Sequence, residues 1–185
     1  MLDTKKITLV TGASRSGKSE FAEMLAAKTN KSVIYLATAK VDATDKEWQT
    51  RITQHQRRRP PSWQTLVVSE QLSSAIEQAL KSECLLIDSL GTWVTNFLDL
   101  EPVEWQKISD RLVASLQATS AEIIFVAEET GWGVVPAYRL GRVFRDRLGD
   151  LSRKISNIAD TTYLVAGGYV LNLSILGEPL SKYEI

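Results

Sequence analysis

Apolar residues along this chain fall into short dense runs, separated by longer stretches where they recur every three or four positions. The first run, ITLVTG, predicts a buried strand from Ile7 to Thr11. SEFAEMLAAK continues as a helix, with Phe21, Met24, Leu25 and Ala27 fitting one apolar stripe. KSVIYLATA predicts a second strand around Val33 to Ala37, TLVVS a third and ECLLIDS a fourth. The fourth reads as buried on both faces, because its interior is apolar without alternation. Between the second and third runs, DATDKEWQTRITQHQRR predicts a helix that starts after Asp42 or Thr44 and breaks at Pro60–Pro61.

EQLSSAIEQAL predicts a helix ahead of the fourth strand, and GTWVTNFL and Val103 to Thr119 supply two more, the second opened by Pro102. EIIFVAE is a fifth strand, followed by the loop ETGWGVVP and a long polar–apolar helix from about Ala137 to Ala159. TTYLVAGGYVLNL predicts two short strands turning at Gly167–Gly168, and the tail SILGEPLSKYEI has no strong pattern. Strands alternating with helices imply an α/β fold: a mostly parallel central sheet, helices on both faces, and a C-terminal strand hairpin. With no repeat, low-complexity segment or linker, residues 1–185 read as one domain. In such sheets ligands bind beyond the carboxyl ends of the strands.

Composition narrows the setting. Hydrophobic residues make up 44% and charged residues 24%, the balance of a globular protein, and no apolar run approaches the ~20 residues of a membrane-spanning helix. Lys5 and Lys6 precede an apolar stretch, but ITLV is short and a glycine loop follows, so a secretory signal is a poor reading. The single cysteine, Cys84, forbids an internal disulfide and reads as a buried strand residue; the expected location is the cytoplasm. Net charge is zero, so nothing global points to nucleic acid. Arg57, Arg58 and Arg59 sit together near Arg51, either as a solvated helix end or as a phosphate clamp.

The chemistry starts at GASRSGKS, Gly12 to Ser19, which meets G-x-x-x-x-G-K-[ST] between a strand and a helix. The glycines allow backbone amides to approach anionic oxygens, and the helix that follows offers its N-terminal amides and dipole. Gly12, Ala13, Ser14, Arg15, Ser16 and Gly17 are therefore expected to cradle a nucleoside triphosphate. Lys18 is expected to reach its β- and γ-phosphates, and the Ser19 hydroxyl to ligate Mg2+. The expected fold is of the P-loop NTPase type, in three layers. Such a site needs a carboxylate at the end of another core strand. Asp88 closes CLLID and is the candidate for catalysis and metal binding, with a helix cap as the structural alternative. Glu128 and Glu129 rival it, for the metal or for activating a substrate hydroxyl. Asp88-Ser89-Leu90-Gly91 mimics a switch-GTPase motif, but no base-reading N-K-x-D follows, because Asn30-Lys31 continues as Ser-Val. Gly131-Trp132-Gly133 mimics a dinucleotide fingerprint, but Pro136 stands where Gly or Ala belongs.

The only histidine, His55, follows Ile52 by three residues and Trp48 by seven, on one face of the expected helix. That spacing suits a packing residue. The arginines suit another role, because an imidazole nitrogen attacks phosphorus when guanidinium groups and magnesium hold the triphosphate charge. Arg51 lies one turn before His55, and Arg58 and Arg59 about one turn after it.

Taken in order, VTGASRSGKSEFAE, VIYLATA, RITQHQRRRPPSW, LLIDSLGTWVTNFL and EETGWGVVPAYRLGRVFRDRLGDLSRKI resemble the bifunctional adenosylcobinamide kinase / adenosylcobinamide-phosphate guanylyltransferase family, over residues 7 to about 173. The specific elements are R-I-x-x-H-x-x-x-R-P and G-x-G-x-V-P-x-x-R-x-x-R-x-F-R-D. The resemblance implies a two-step enzyme of cobalamin assembly. ATP or GTP first phosphorylates the hydroxyl of the aminopropanol arm of adenosylcobinamide. GMP from GTP is then carried on His55 and passed to adenosylcobinamide phosphate, giving adenosylcobinamide-GDP. It further implies Lys18, Asp88 and Glu129 beside His55 in catalysis, Arg51, Arg58 and Arg59 on the nucleotide, and a homo-oligomer, often a trimer. Asp88 stands where the family commonly has Glu, and Glu128 where it often has Asn. Two other classes stay open: a monofunctional P-loop small-molecule kinase and a non-catalytic GTP-binding regulator. The loop Thr130 to Arg139 and Trp93 are candidates for corrinoid contact by position only.

Overall fold

The computed structural model describes residues 6–40 and 59–183. The helix expected between Asp42 and Pro60, with His55, Arg51 and Arg58, lies outside the described residues. Seven strands form one sheet: β1 (Ile7–Gly12), β2 (Ser32–Ala37), β3 (Gln64–Val67), β4 (Glu83–Asp88), β5 (Glu122–Glu128), β6 (Thr161–Ala166) and β7 (Tyr169–Asn172). Their order is β3-β2-β4-β5-β1-β6-β7, with every pair parallel except β6 and β7. The antiparallel pair is the expected hairpin, and both turn glycines, Gly167 and Gly168, have positive φ. The helices are α1 (Lys18–Ala27), α2 (Leu72–Gln78), α3 (Leu90–Thr95), α4 (Pro102–Ala118), α5 (Arg139–Ile158) and the single turn α6 (Leu173–Leu176).

Alternation along the buried strands splits the core between the two faces. Val10, Tyr35, Leu86, Ile124 and Val126 pack with Ala22 and Ala26 of α1. Leu9, Leu36, Leu85, Ile87 and Phe125 pack on the other face with Leu112 and Leu116 of α4 and Leu148, Leu151 and Ile155 of α5. Each such fully buried Leu or Phe contributes roughly 1.5–3 kcal/mol. The α1 stripe corrects the expectation. Ala22 and Ala26 form its buried line with Phe21 and Leu25 beside them, while Met24 and Ala27 are exposed. Small alanines let the helix lie close to the sheet directly after the phosphate loop. Trp93 is also corrected: it is fully buried against Phe97 and Trp105, so it contacts core rather than substrate. No helix among the described residues is long and apolar enough to cross a membrane.

Candidate functional site

The loop between β1 and α1 is shaped by two glycines that act in different ways. Gly17 caps α1 in the left-handed region at φ 94°, which an L side chain rarely adopts, and its carbonyl accepts the Phe21 amide at 2.9 Å. Gly12 is required by space, because a Cβ there would collide with the Val165 carbonyl oxygen of β6 and lie 2.8 Å from Ser16 Oγ. Lys18 is buried, and its Nζ donates to the Ala13 carbonyl at 3.2 Å, so the ammonium is held over its own loop. The motif thus folds as a strand, a tight loop and a helix N-terminus.

The sheet register ranks the three carboxylates. Gly12 pairs with Glu128 on the neighbouring strand, while Asp88 pairs with Val126, two positions earlier on β5. Two strand spacings put Asp88 about 10 Å across the sheet from β1. Glu128 is occupied by the start of α3: Oε1 accepts from Ser89 Oγ at 2.6 Å and Oε2 from the Gly91 amide at 2.9 Å. Ser89, not Asp88, is the N-cap of α3, in a capping box with Thr92. Asp88 is thereby left out of the cap, and its Oδ2 accepts from the Tyr35 hydroxyl at 3.0 Å. Glu129 is tied to β1 twice, its amide donating to the Gly12 carbonyl at 3.0 Å and its Oε1 accepting from Thr11 Oγ1 at 2.8 Å.

Tyr35 is only 4% exposed, and burial, then the Asp88 charge, push its hydroxyl far above the usual phenol range. The Arg59 guanidinium opposes that shift, its Cζ lying 3.2 Å from the Tyr35 ring centroid. Arg59 is the described member of the arginine cluster near His55 in the sequence, and it stacks on Tyr35, the residue whose hydroxyl reaches Asp88. Cys84 sits fully buried in β4, and burial pushes its thiol up to about 12, so it is a packing residue as expected.

On the face of the sheet opposite α1, a cavity of about 530 Å³ runs from Glu129 and Thr11 along Arg145, Gly149 and Ser152 of α5. Among the described residues no group of three or more His, Cys, Asp or Glu is placed to hold a metal ion. The Ser19 hydroxyl and the Asp88 carboxylate are hard oxygen donors, a set that suits Mg2+ shared with phosphates and water rather than an all-protein cage. Sequence reasoning missed Tyr35, Thr11 and Arg145. Tyr35 lies inside an apolar strand run, and only its position two residues before the strand end aims it at Asp88.

A solved protein of Pyrococcus horikoshii OT3 superposes on 92% of this chain and 86% of its own with a TM-score of 0.58; at 7% identity it carries the fold alone. The bifunctional adenosylcobalamin biosynthesis protein CobP of Pseudomonas aeruginosa is 39% identical over 175 residues, 93% of this chain and 98% of that protein. The bifunctional adenosylcobalamin biosynthesis protein CobU of Escherichia coli K12 is 35% identical, over 86% of this chain and 95% of that protein. The family described as cobinamide kinase / cobinamide phosphate guanyltransferase matches residues 8–173. With a phosphate loop, strand-end carboxylates and this extent of match in one chain, the protein belongs to the cobinamide kinase / cobinamide phosphate guanyltransferase family.

Proposed function

We propose that this enzyme works at one nucleotide site in two steps. In the first, the terminal phosphate of ATP or GTP passes to the hydroxyl of the aminopropanol arm of adenosylcobinamide. Gly12, Ala13, Ser14, Arg15, Ser16 and Gly17 surround the phosphates, and Lys18 turns from the Ala13 carbonyl to the β- and γ-oxygens. Glu129 faces the incoming hydroxyl and takes its proton. Mg2+, held by Ser19 and Asp88 with the phosphate oxygens, neutralises charge on the triphosphate when bound.

In the second step an imidazole nitrogen of His55 attacks the α-phosphorus of GTP, the bond to the β-phosphate oxygen breaks, and pyrophosphate leaves. Arg51, Arg58 and Arg59 balance the phosphate charge. A phosphate oxygen of adenosylcobinamide phosphate then attacks the same phosphorus. The P–N bond breaks, His55 is regenerated, and adenosylcobinamide-GDP results. Protonated imidazole is a good leaving group, so one difficult displacement becomes two easier ones. A subunit assembly, a homo-oligomer and on family likeness a trimer, is part of the same reading.

The observation that carries it is the placement of Arg59. Four residues after His55 in the chain, its guanidinium lies over Tyr35, whose hydroxyl reaches Asp88. The Arg59 guanidinium thus lies over the Tyr35 side chain that reaches the carboxylate proposed for the metal, on the face of the sheet that α1 covers.

The test is labelling with GTP radioactive at the α-phosphorus. The parent should acquire an acid-labile, base-stable GMP adduct. His55→Ala should acquire none while still phosphorylating cobinamide. An adduct retained in His55→Ala removes the histidine from the mechanism, and a parent that phosphorylates cobinamide without any adduct is a monofunctional kinase.

A further inference from the structure

The cavity on the α5 face holds two polar atoms that the protein itself leaves unsatisfied. Arg145 Nη1 and Ser152 Oγ are both shut off from solvent and have no hydrogen-bond partner. Such groups cost stability and call for a reason, because a buried donor without an acceptor forfeits its hydration. Both residues line the cavity, seven positions apart on α5, or about 10 Å along the helix axis. Other polar atoms of the lining are already engaged: Thr11 with Glu129, Ser156 with Thr162, and Arg153 with Asp150. Among the described lining residues, the buried polar atoms without a partner are Arg145 Nη1 and Ser152 Oγ, and Asp146 adds an exposed carboxylate.

The shape is set by what α5 lacks. Gly149 lies between the two residues, and a Cβ built there meets nothing within 4 Å. Gly149, Asp146 and Arg153 are exposed along one flank, and Leu9 of β1 and Leu173 of α6 give an apolar floor. The result is an elongated groove, open along one side. Glu129 stands at its upper end, at the carboxyl edge of the sheet. Its volume falls within the usual range of ligand sites, roughly 300–1,000 Å³. The phosphate loop leads into α1 on the opposite face, so the nucleotide does not account for this space.

We propose that the groove is the subsite for the acceptor's amide-linked hydroxyalkyl arm, an inference that rests on the kinase reading above. The hydroxyl lies at the Glu129 end, where it meets the terminal phosphate. The oxygen of the arm's single amide accepts from Arg145 Nη1. A macrocycle cannot enter a groove bounded by one helix and one strand, so the bulk of the acceptor stays outside, over the exposed Gly149 flank.

Two variants separate this role from folding. Gly149→Leu fills the groove, and replacing a helical glycine removes a residue of poor helix propensity. Arg145→Gln keeps a polar hydrogen-bonding group but is shorter and removes the buried cation. With cobinamide as acceptor, both should raise the acceptor KM tenfold or more. GMP-adduct formation from GTP alone, which needs no acceptor, is the internal reference and should stay within twofold. Binding of a corrinoid lacking the hydroxyalkyl arm, read from the corrin absorbance in equilibrium dialysis, should be unchanged by Arg145→Gln. An acceptor KM within twofold of the parent in both variants overturns the assignment while leaving the kinase reading intact. A parallel fall in adduct yield, or a changed oligomeric state in Gly149→Leu, also overturns it, giving the groove to the nucleotide or to subunit contact. A parent that never phosphorylates cobinamide removes both readings together.

Discussion

The Tyr35 hydroxyl donates to Asp88 Oδ2 at 3.0 Å from a position only 4% exposed to solvent. Ala37 pairs with Asp88 across the β2–β4 ladder, so Tyr35 lies two residues back on the same face. One carboxylate oxygen is thereby fixed, and on the proposed function the other ligates the metal ion. Tyr35→Phe should raise the Mg2+ concentration needed for half-maximal phosphorylation several-fold, while costing about 0.5–1.5 kcal/mol of stability. The alkaline limb gives a second measure. Burial and the Asp88 charge raise the folded-state pKa above the unfolded value of 10.0, so the neutral phenol's contribution is full below that pH. Above it the unfolded chain loses a proton that the folded chain keeps. Stability then falls by about 1.4 kcal/mol per pH unit for this one group. Urea midpoints taken across that range should fall less steeply in Tyr35→Phe, and identical slopes would show that the hydroxyl is ionised in the native state.

Arg59 covers the Tyr35 ring with its guanidinium plane, and Nη1 reaches Thr65 Oγ1 at 3.4 Å. A lysine ammonium keeps the charge but cannot lie flat on a ring or present a fork to phosphate. Arg59→Lys and Arg59→Ala should therefore lower the rate of GMP-adduct formation by similar factors, on the order of tenfold. A single-turnover measurement with labelled GTP decides it. Full activity in the lysine variant would mean that charge alone suffices at this position.

Glu128 and Glu129 are adjacent in sequence and bound to different elements, and substitution should separate their roles. Glu128→Ala strips Ser89 Oγ and the Gly91 amide of their acceptor at the start of α3, a loss of about 1–3 kcal/mol that a thermal melt would register. Glu129→Gln still accepts from Thr11 but cannot take a proton, so its melt should match the parent while phosphorylation of cobinamide falls by a factor of about 10²–10⁴. An active Glu129→Gln enzyme would shift the base role to another carboxylate.

The strands and the phosphate loop were legible because local rules produce them. Apolar runs bounded by glycine and polar residues became β1, β4 and β5, and GASRSGKS became the strand-loop-helix that its spacing requires. The α1 stripe misled because periodicity marks Met24 and Leu25 as equivalent, whereas the packed helix buries the small Ala22 and Ala26 line instead. Trp93 misled by position: its place after Asp88 suggested a site, yet the ring closes the core with Phe97 and Trp105. The carboxylate ranking was hidden for a different reason. It depends on Ser89, Glu128 and Tyr35, drawn from three strands or strand ends, and no spacing within one segment encodes a contact across a sheet.

The exposed apolar surface bears on assembly. Trp132, Val134, Val135 and Tyr138 of the loop before α5 are strongly exposed, as are Tyr169 of β7 and Ile175 and Leu176 of α6. Single exposed apolar residues are ordinary, but this many in two segments is costly for a surface left in water. Burial between subunits removes that cost at about 25 cal/mol for each Å² covered. The protein should sediment as an oligomer, with a trimer as the expected state. Ile175→Glu combined with Tyr169→Lys should shift it toward monomer, while a double change on α4, such as Glu104→Lys with Lys107→Glu, should not. If the parent sediments as a monomer at assay concentration, these side chains serve another partner, and assembly plays no part in either transfer step.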